Sequence, residues 1–329
     1  MPASPLTPVT LLTGYLGSGK TTLLGRALRD PAFADTAVVI NEFGEAPLDH
    51  VLTRAASDNI TLLPSGCLCC SVAGDLVQAL RDVHFKRAAG EVPFFRRVVI
   101  ETSGLADPAP ILRTLIELPL TAARYALAGV VTVVDAAHGM KQLDARRESL
   151  KQAAIADRLV ISKAELAHAE ELQTLRARLS ALNPGATQTL AGDMDATRLF
   201  ASGLYRAEEK RYAVAEWLPP NGLFRVAPRH DARVRAFAIT LDDADWPGTE
   251  DRLRELCEVA GERLLRMKGI VHAGQNTYAV HAVQHTLYPP ARLPEGADPG
   301  GQSRFQFVTD GLDEAFVRGL LGANARQAA

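Results

Sequence analysis

No run of about 18 consecutive apolar residues occurs in the chain, so no segment is expected to span a bilayer as a helix. Charge of either sign is not in excess: 36 Lys and Arg face 38 Asp and Glu, and a net charge of −2 leaves no electrostatic footprint for nucleic acid or an anionic membrane. Internal repeats and low-complexity tracts are absent. The first residues, Met1-Pro2-Ala3-Ser4-Pro5, lack the basic stretch of a signal peptide, and a cytoplasmic location is expected. Cysteine is scarce, four residues in all, and three of them (Cys67, Cys69 and Cys70) fall within four positions. Such crowding in a reducing compartment suggests thiolate chemistry rather than a disulfide framework. Cys257 sits among Leu253, Leu256 and Val259 at helical spacing and reads as a small buried hydrophobe.

What is present begins with Val9-Thr10-Leu11-Leu12-Thr13, an apolar β-branched run, followed by Gly14-Tyr15-Leu16-Gly17-Ser18-Gly19-Lys20-Thr21-Thr22. Leu23, Leu24, Ala27 and Leu28 then repeat at helical spacing. Strand, glycine-rich turn and helix form the context that a G-x-x-x-x-G-K-[ST] match requires. Gly14 and Gly19 let the backbone turn tightly so that successive N–H groups converge on one anion. Lys20 adds a point charge for the β- and γ-phosphates. The Thr21 hydroxyl is suited to ligate Mg²⁺, and the helix N-terminus contributes its positive end.

The 329 residues suffice for two domains, each with its own core. Apolar strands at 6–13, 36–40, 97–100, 130–134 and 159–161 alternate with amphipathic helices over 20–29, 76–87, from about 110, and 165–182. This predicts an α/β domain over 1–202, a P-loop NTPase with a mostly parallel sheet covered by helices on both faces. Ligands in such sheets bind beyond the carboxyl ends of the strands, where Thr21, Glu42, Glu101, Asp135 and Lys163 all fall. Prolines and Asn221-Gly222 mark a linker over 203–231. Residues 232–329 read as a small α+β domain with an antiparallel sheet: strands at 234–241, 269–285 (turning at 274–276) and 305–308, and helices from 252 and over 313–321.

Glu101-Thr102-Ser103-Gly104 ends a core strand where phosphate-loop enzymes need an acidic residue for Mg²⁺ and, three residues on, a glycine whose N–H approaches the γ-phosphate. Lys20, Thr21 and Glu101 are thus the candidate catalytic residues. Ser162-Lys163-Ala164-Glu165 lies where a GTPase carries Asn-Lys-x-Asp. The lysine stem would cover the base and Glu165 would accept from guanine N1 and N2, which favours guanine over adenine. Gly66-Cys67-Leu68-Cys69-Cys70 offers three thiolates suited to Zn²⁺ with room for a further ligand, an incomplete site that suits a metal to be released. A structural role for these cysteines is the alternative. His281 and His285 are expected on one strand face near His272, as a second metal site or, on the simpler reading, a solvated polar face.

Taken together, Asn41-Glu42-Phe43-Gly44-Glu45, Gly66–Cys70, Glu101-Thr102-Ser103-Gly104-Leu105-Ala106-Asp107-Pro108 and Val133-Val134-Asp135-Ala136 resemble the CobW-type family of metal-associated GTPases. Leu264–Gly269 and Val283-Gln284-His285 resemble that family's C-terminal domain, so nearly the full length is covered. The resemblance implies a GTP-driven metallochaperone whose first domain is like those of the urease and hydrogenase nickel-insertion GTPases. Its metal would be zinc, or cobalt on the way to cobalamin. Cys67, Cys69 and Cys70 would be the metal ligands, with Glu42 and Glu45 on a switch segment linking nucleotide state to metal. Implied cofactors are GTP, Mg²⁺ and Zn²⁺ (or Co²⁺). Implied partners are GTP or GDP and a client metalloprotein, with no nucleic acid or membrane, the chain acting as monomer or homodimer. Ser162 and Glu165 depart from the GTPase pattern, and the lack of a histidine-rich tail leaves storage unsupported. No fast catalytic base or arginine finger is evident, so slow intrinsic turnover is expected. A P-loop phosphotransferase, or a nucleotide-gated zinc sensor with structural cysteines, is the alternative.

Overall fold

The computed structural model describes residues 6–40, 60–64, 72–200, 205–206, 211–212, 214–218, 233–242, 244–298 and 300–322. By its contacts the chain divides into two units, Met1–Arg176 with Ala186–Gly203, and Ala177–Gly185 with Leu204–Ala329.

In the first unit, among the described residues, seven strands form one sheet: β1 (Thr7–Thr13), β2 (Thr36–Ile40), β3 (Ile60–Pro64), β4 (Arg97–Glu101), β5 (Tyr125–Asp135), β6 (Arg158–Ser162) and β7 (Thr187–Leu190). Their order is β3-β2-β4-β1-β5-β6-β7, and every neighbouring pair is parallel. Successive residues of a strand point to opposite faces. On β1, Val9, Thr10, Leu11 and Leu12 are each no more than 3% exposed, so both faces are covered. On one face Leu12, Val38, Val99, Val131, Val133 and Val160 pack with Leu23, Leu24 and Ala27 of the Lys20–Ala27 helix. The register sets Leu12 beside Glu101, so the loop after β1 and the end of β4 emerge at one edge.

The helices Gly139–Ala145 and Arg147–Ala154, between β5 and β6, are absent from the sequence reading, and three further elements differ from it. The strand expected from 130 begins at Tyr125, because Thr7–Thr10 of β1 offers backbone partners to the Ala-Leu-Ala-Gly run across a register shift. The short polar edge strand β7 had no hydrophobic pattern to betray it. The helix expected from Glu165 starts at Ala169 instead. Lys163 turns the chain at φ 54°, Ala164–Leu166 makes a 3₁₀ turn and Ala167 is extended, leaving Leu166 66% exposed rather than on an apolar helix face.

The second unit contains a short antiparallel pair, β8 (Tyr205–Arg206) and β9 (Arg211–Tyr212), and a helical turn at Val214–Trp217. These elements lie in the stretch read as a linker. Val214, Trp217 and Leu218 are buried with Ile270, Ala279 and Leu293, because apolar side chains there find a sheet face to cover. Among the described residues the larger sheet has six strands: β10 (Val234–Leu241), β11 (Leu264–Ala273), β12 (Asn276–Val283), β13 (Thr286–Leu287), β14 (Ala291–Leu293) and β15 (Ser303–Asp310). All its pairings are antiparallel. Met267, Val271, Phe305 and Phe307 on its other face pack with Leu253, Leu256 and Cys257 of the Trp246–Ala260 helix, and with Val317 and Leu321. That helix starts earlier than its apolar spacing suggested, because Asp245 caps it by accepting from Gly248 N at 2.7 Å. Burial pushes the Cys257 thiol up to about 12, as befits a packing residue. Among the described residues no helix is long and apolar enough to cross a membrane.

Candidate functional site

The loop between β1 and the first helix is shaped by contacts that only its sequence permits. Gly14 has φ 144°, and a Cβ there would stand 2.3 Å from the Val133 carbonyl oxygen, so no larger residue fits. Gly17 and Gly19 take left-handed φ values of 71° and 90°. Gly19 caps the Lys20–Ala27 helix, and Leu23 N donates to Gly19 O at 2.9 Å. The amides ahead of Leu23 have no upstream helical carbonyl to bind. Lys20 is buried, with Nζ donating to Gly14 O at 2.9 Å and to Tyr15 O at 3.4 Å, so its charge is drawn over the loop. Ser18 is wholly buried, while Thr22 faces solvent.

Thr21 and Glu101 meet as their positions at the sheet edge suggested. Thr21 Oγ1 donates to Glu101 Oε1 at 2.6 Å, a length typical of a charge-assisted bond, and Glu101 is only 2% exposed. Next to it, Thr102 N donates to Leu12 O and Thr102 Oγ1 to Thr13 Oγ1, both at 2.9 Å, tying the end of β4 to β1. Gly104 then lies against the phosphate loop so closely that a Cβ would sit 2.6 Å from Leu16 N.

The opposite side of the loop is held by β5 and β6. Lys163 Nζ donates to Gly17 O and to Asp135 Oδ2, each at 2.7 Å. Ser162, standing where the GTPase pattern has Asn, keeps a tether of its own: Oγ donates to Ser18 O at 2.6 Å. Asp135 also accepts from Ala137 N at 2.8 Å, His138 N at 3.1 Å and the His138 ring at 3.2 Å. Burial by itself would raise the Asp135 carboxyl, but these donors, Lys163 first, hold it below the usual carboxylate value. Glu165 is exposed on the 3₁₀ turn, its carboxylate open to solvent. The Asp135–Lys163 pair was not read from sequence as a unit, because residues 28 apart in the chain reveal a contact only through parallel pairing of β5 with β6.

Cys67, Cys69, Cys70, Glu42 and Glu45 lie outside the described residues. Among the described residues no group of three or more His, Cys, Asp or Glu side chains is placed to hold a metal ion. His272, His281 and His285, all in the second unit, do not converge. His272 Nε2 binds Asp298 Oδ2 at 2.8 Å, and His281 lies with its ring 3.8 Å from that of Tyr288. His285 falls beyond the end of β12, under Gly261, since the turn at Gln284 (φ 52°) breaks the alternation that would have aligned it with His281.

A glycine-rich loop with a buried lysine, a threonine bonded to a strand-end carboxylate and a second lysine tying that loop to the end of β5 in a parallel sheet define a P-loop GTPase. The chain belongs to the CobW family: residues 8–189 match the CobW/HypB/UreG nucleotide-binding domain, and residues 234–324 match the cobW C-terminal domain. It is 35% identical over 314 residues to the zinc chaperone YjiA of Escherichia coli (strain K12), covering 94% of this chain and 96% of that protein. Over 212 residues it is 31% identical to the zinc chaperone CobW of Pseudomonas aeruginosa, 55% of each chain. The crystal structure of Zn(II)-bound YjiA GTPase from E. coli superposes with a TM-score of 0.72 at 25% identity, covering 98% of this chain and all (100%) of that one.

Proposed function

We propose that this protein is a GTP-driven metallochaperone that binds Zn²⁺ through Cys67, Cys69 and Cys70 and yields it to a client protein when GTP is hydrolysed. The observation that carries the link between metal and nucleotide is one of register. Ile40 at the end of β2 pairs with Glu101 on one side and Pro64 on the other. β2 and β3 therefore end at the edge at which Glu101 meets Thr21, and Asn41–Glu45 and Cys67–Cys70 follow them closely in sequence. In this reading the terminal phosphate acts on both segments through that edge. Thiolates suit zinc, and the full-length relative named above is a zinc chaperone, which favours zinc over cobalt.

Gly14, Gly17, Ser18, Gly19, Lys20, Thr21 and Thr22 form the phosphate cradle in this reading, and Gly104 offers its N–H to the γ-phosphate. Two hard oxygens as close as Thr21 Oγ1 and Glu101 Oε1 fit Mg²⁺, which Thr21 and Glu101 would hold directly or through water. Bound there, it neutralises charge on the β- and γ-phosphates. Lys163 lays its stem along the guanine and Glu165 accepts from the base edge.

Zinc affinity measured by competition titration in the presence of a non-hydrolysable GTP analogue and of GDP tests the coupling. Reciprocal linkage requires the two affinities to differ, and a tenfold ratio corresponds to about 1.4 kcal/mol. Equal affinities would remove the transfer mechanism and leave a nucleotide hydrolase with a separate metal site. Changing Cys69→Ser is expected to lower zinc content while GDP binding persists.

A further inference from the structure

The segment 102–107 that follows β4 is gripped from behind by the Arg147–Ala154 helix. Gln152 on that helix is completely buried, and its Nε2 donates to Gly104 O at 3.1 Å and to Ala106 O at 3.0 Å. One position earlier, Lys151 Nζ reaches Asp107 Oδ2 at 2.6 Å. The helix is in turn tied to the sheet, since Thr132 Oγ1 on β5 donates to Gln152 O at 2.7 Å. On its other side the segment presses on the phosphate loop through Gly104 and Leu16.

The amide can face the segment in only one sense. Both atoms opposite it are carbonyl oxygens, which accept from Nε2 and would repel Oε1. Turned this way, Oε1 is buried and has no hydrogen-bond partner among the described residues. Buried polar atoms are nearly always paired, and Gln152 directs its amide N–H groups to two segment carbonyls. The grip also reaches the peptide that carries Gly104 N–H. Its carbonyl, Ser103 O, accepts from Ala106 N at 3.1 Å, so fixing Ala106 fixes the plane of the 103–104 peptide as well.

We propose that Gln152 is a positioning residue for the GTPase reaction: by holding Gly104 O and Ala106 O it sets how closely Gly104 N–H stands to the terminal phosphate. It thereby governs discrimination between GTP and GDP rather than nucleotide binding as such. This rests on the reading of Glu101–Gly104 as the segment that meets the γ-phosphate.

The test uses the full chain with Gln152→Leu, which removes both donors at similar volume, and Gln152→Glu, which turns an oxygen toward both carbonyls. Affinities for GDP and a non-hydrolysable GTP analogue are measured, with kcat and KM for GTP. GDP affinity is expected to stay within about twofold while analogue affinity and kcat fall about tenfold, the size of one to two net hydrogen bonds. For Gln152→Glu the defect, relative to the unaltered protein, should shrink as pH falls, because a protonated carboxyl regains one donor. Packing alone would give no such pH dependence. Equal loss of GDP and analogue affinity, or an unchanged ratio in folded protein, overturns the proposal. Gly104→Ala separates it from the reading beneath: a Cβ there must displace the Leu16 backbone and shift the analogue-to-GDP ratio if the segment meets the phosphate. A shift in Gly104→Ala with none in Gln152→Leu refutes the role of Gln152 alone, and a shift in neither refutes both. Should Gln152→Leu fail to fold, Gln152→Glu and Lys151→Met decide by the same ratio.

Discussion

Replacing Lys163 by Met retains an apolar stem and deletes the charge that joins the phosphate loop to β5. In the structure Lys163 Nζ bonds Asp135 Oδ2 and Gly17 O, the Asp135 side chain being 3% exposed and that of Lys163 35%. Removing one partner of a fully buried ion pair costs about 3–5 kcal/mol, whereas exposed pairs are worth under about 1 kcal/mol. Lysine's partial exposure and the backbone N–H donors that Asp135 retains from Ala137 and His138 place this case between those limits. We expect a loss of about 1–3 kcal/mol, most of it recovered as coupling in a double-mutant cycle with Asp135→Asn. Both tryptophans, Trp217 and Trp246, lie in the second unit, so the readout is hydrogen exchange of β5 and β6 amides rather than fluorescence. Asp135 is held below its ordinary 3.8, so its contribution is full above that pH and lost as pH falls through the depressed value. Without Lys163 the loss begins at higher pH. Because Gly17 O is also released, affinities for GDP and a GTP analogue should fall by a similar factor. A coupling near zero, or loss confined to the triphosphate, would refute the account of Lys163 as a tether for the whole loop.

Glu101→Gln keeps the shape beside Thr21 but not the charge, and Mg²⁺-dependent kcat should fall by about 100-fold or more while GDP binding without Mg²⁺ changes little. Ser162→Ala removes the donor to Ser18 O and should lower stability by about 1 kcal/mol, read as a drop of about 2–4 °C in the melting transition of the first unit. In the second unit Arg304 grips both oxygens of Asp298, at 2.6 and 2.8 Å, and donates to Leu218 O next to Trp217. Burial opposes ionisation of Asp298, yet bonds from Arg304 and His272 hold its carboxyl below the usual value, so this unit should lose stability in acid as pH falls through that value. Asp298→Asn should cost about 3–5 kcal/mol at neutral pH, followed in urea by the fluorescence of the two tryptophans, and an unchanged midpoint would show that the cluster is not a stabilising one.

The residues of the sequence were informative wherever function depends on neighbours in the chain. The phosphate loop needs Gly14, Gly19, Lys20 and Thr21 at fixed offsets after a strand, and those offsets are local geometry. Strand-end placement of Glu101, Asp135 and Lys163 was legible for a similar reason: apolar runs stop where the sheet does. Helix beginnings were less legible, since Lys163 at positive φ and the Asp245 cap override the apolar spacing on which the reading of 165–182 and 252–265 relied.

By itself, then, the order of residues determined a parallel-sheet nucleotide fold, its phosphate loop and an antiparallel second domain, because hydrophobic period and glycine spacing act over a few residues. Only the tertiary structure decided which distant groups share a bond: Lys163 with Asp135 and Gly17, Ser162 with Ser18, Gln152 with Gly104 and Ala106, and the separation of His272, His281 and His285. The physical reason is that such contacts are set by strand order and register across the sheet. A buried glutamine on an amphipathic helix looks in sequence like any solvent-facing polar residue until the loop it holds is folded against it.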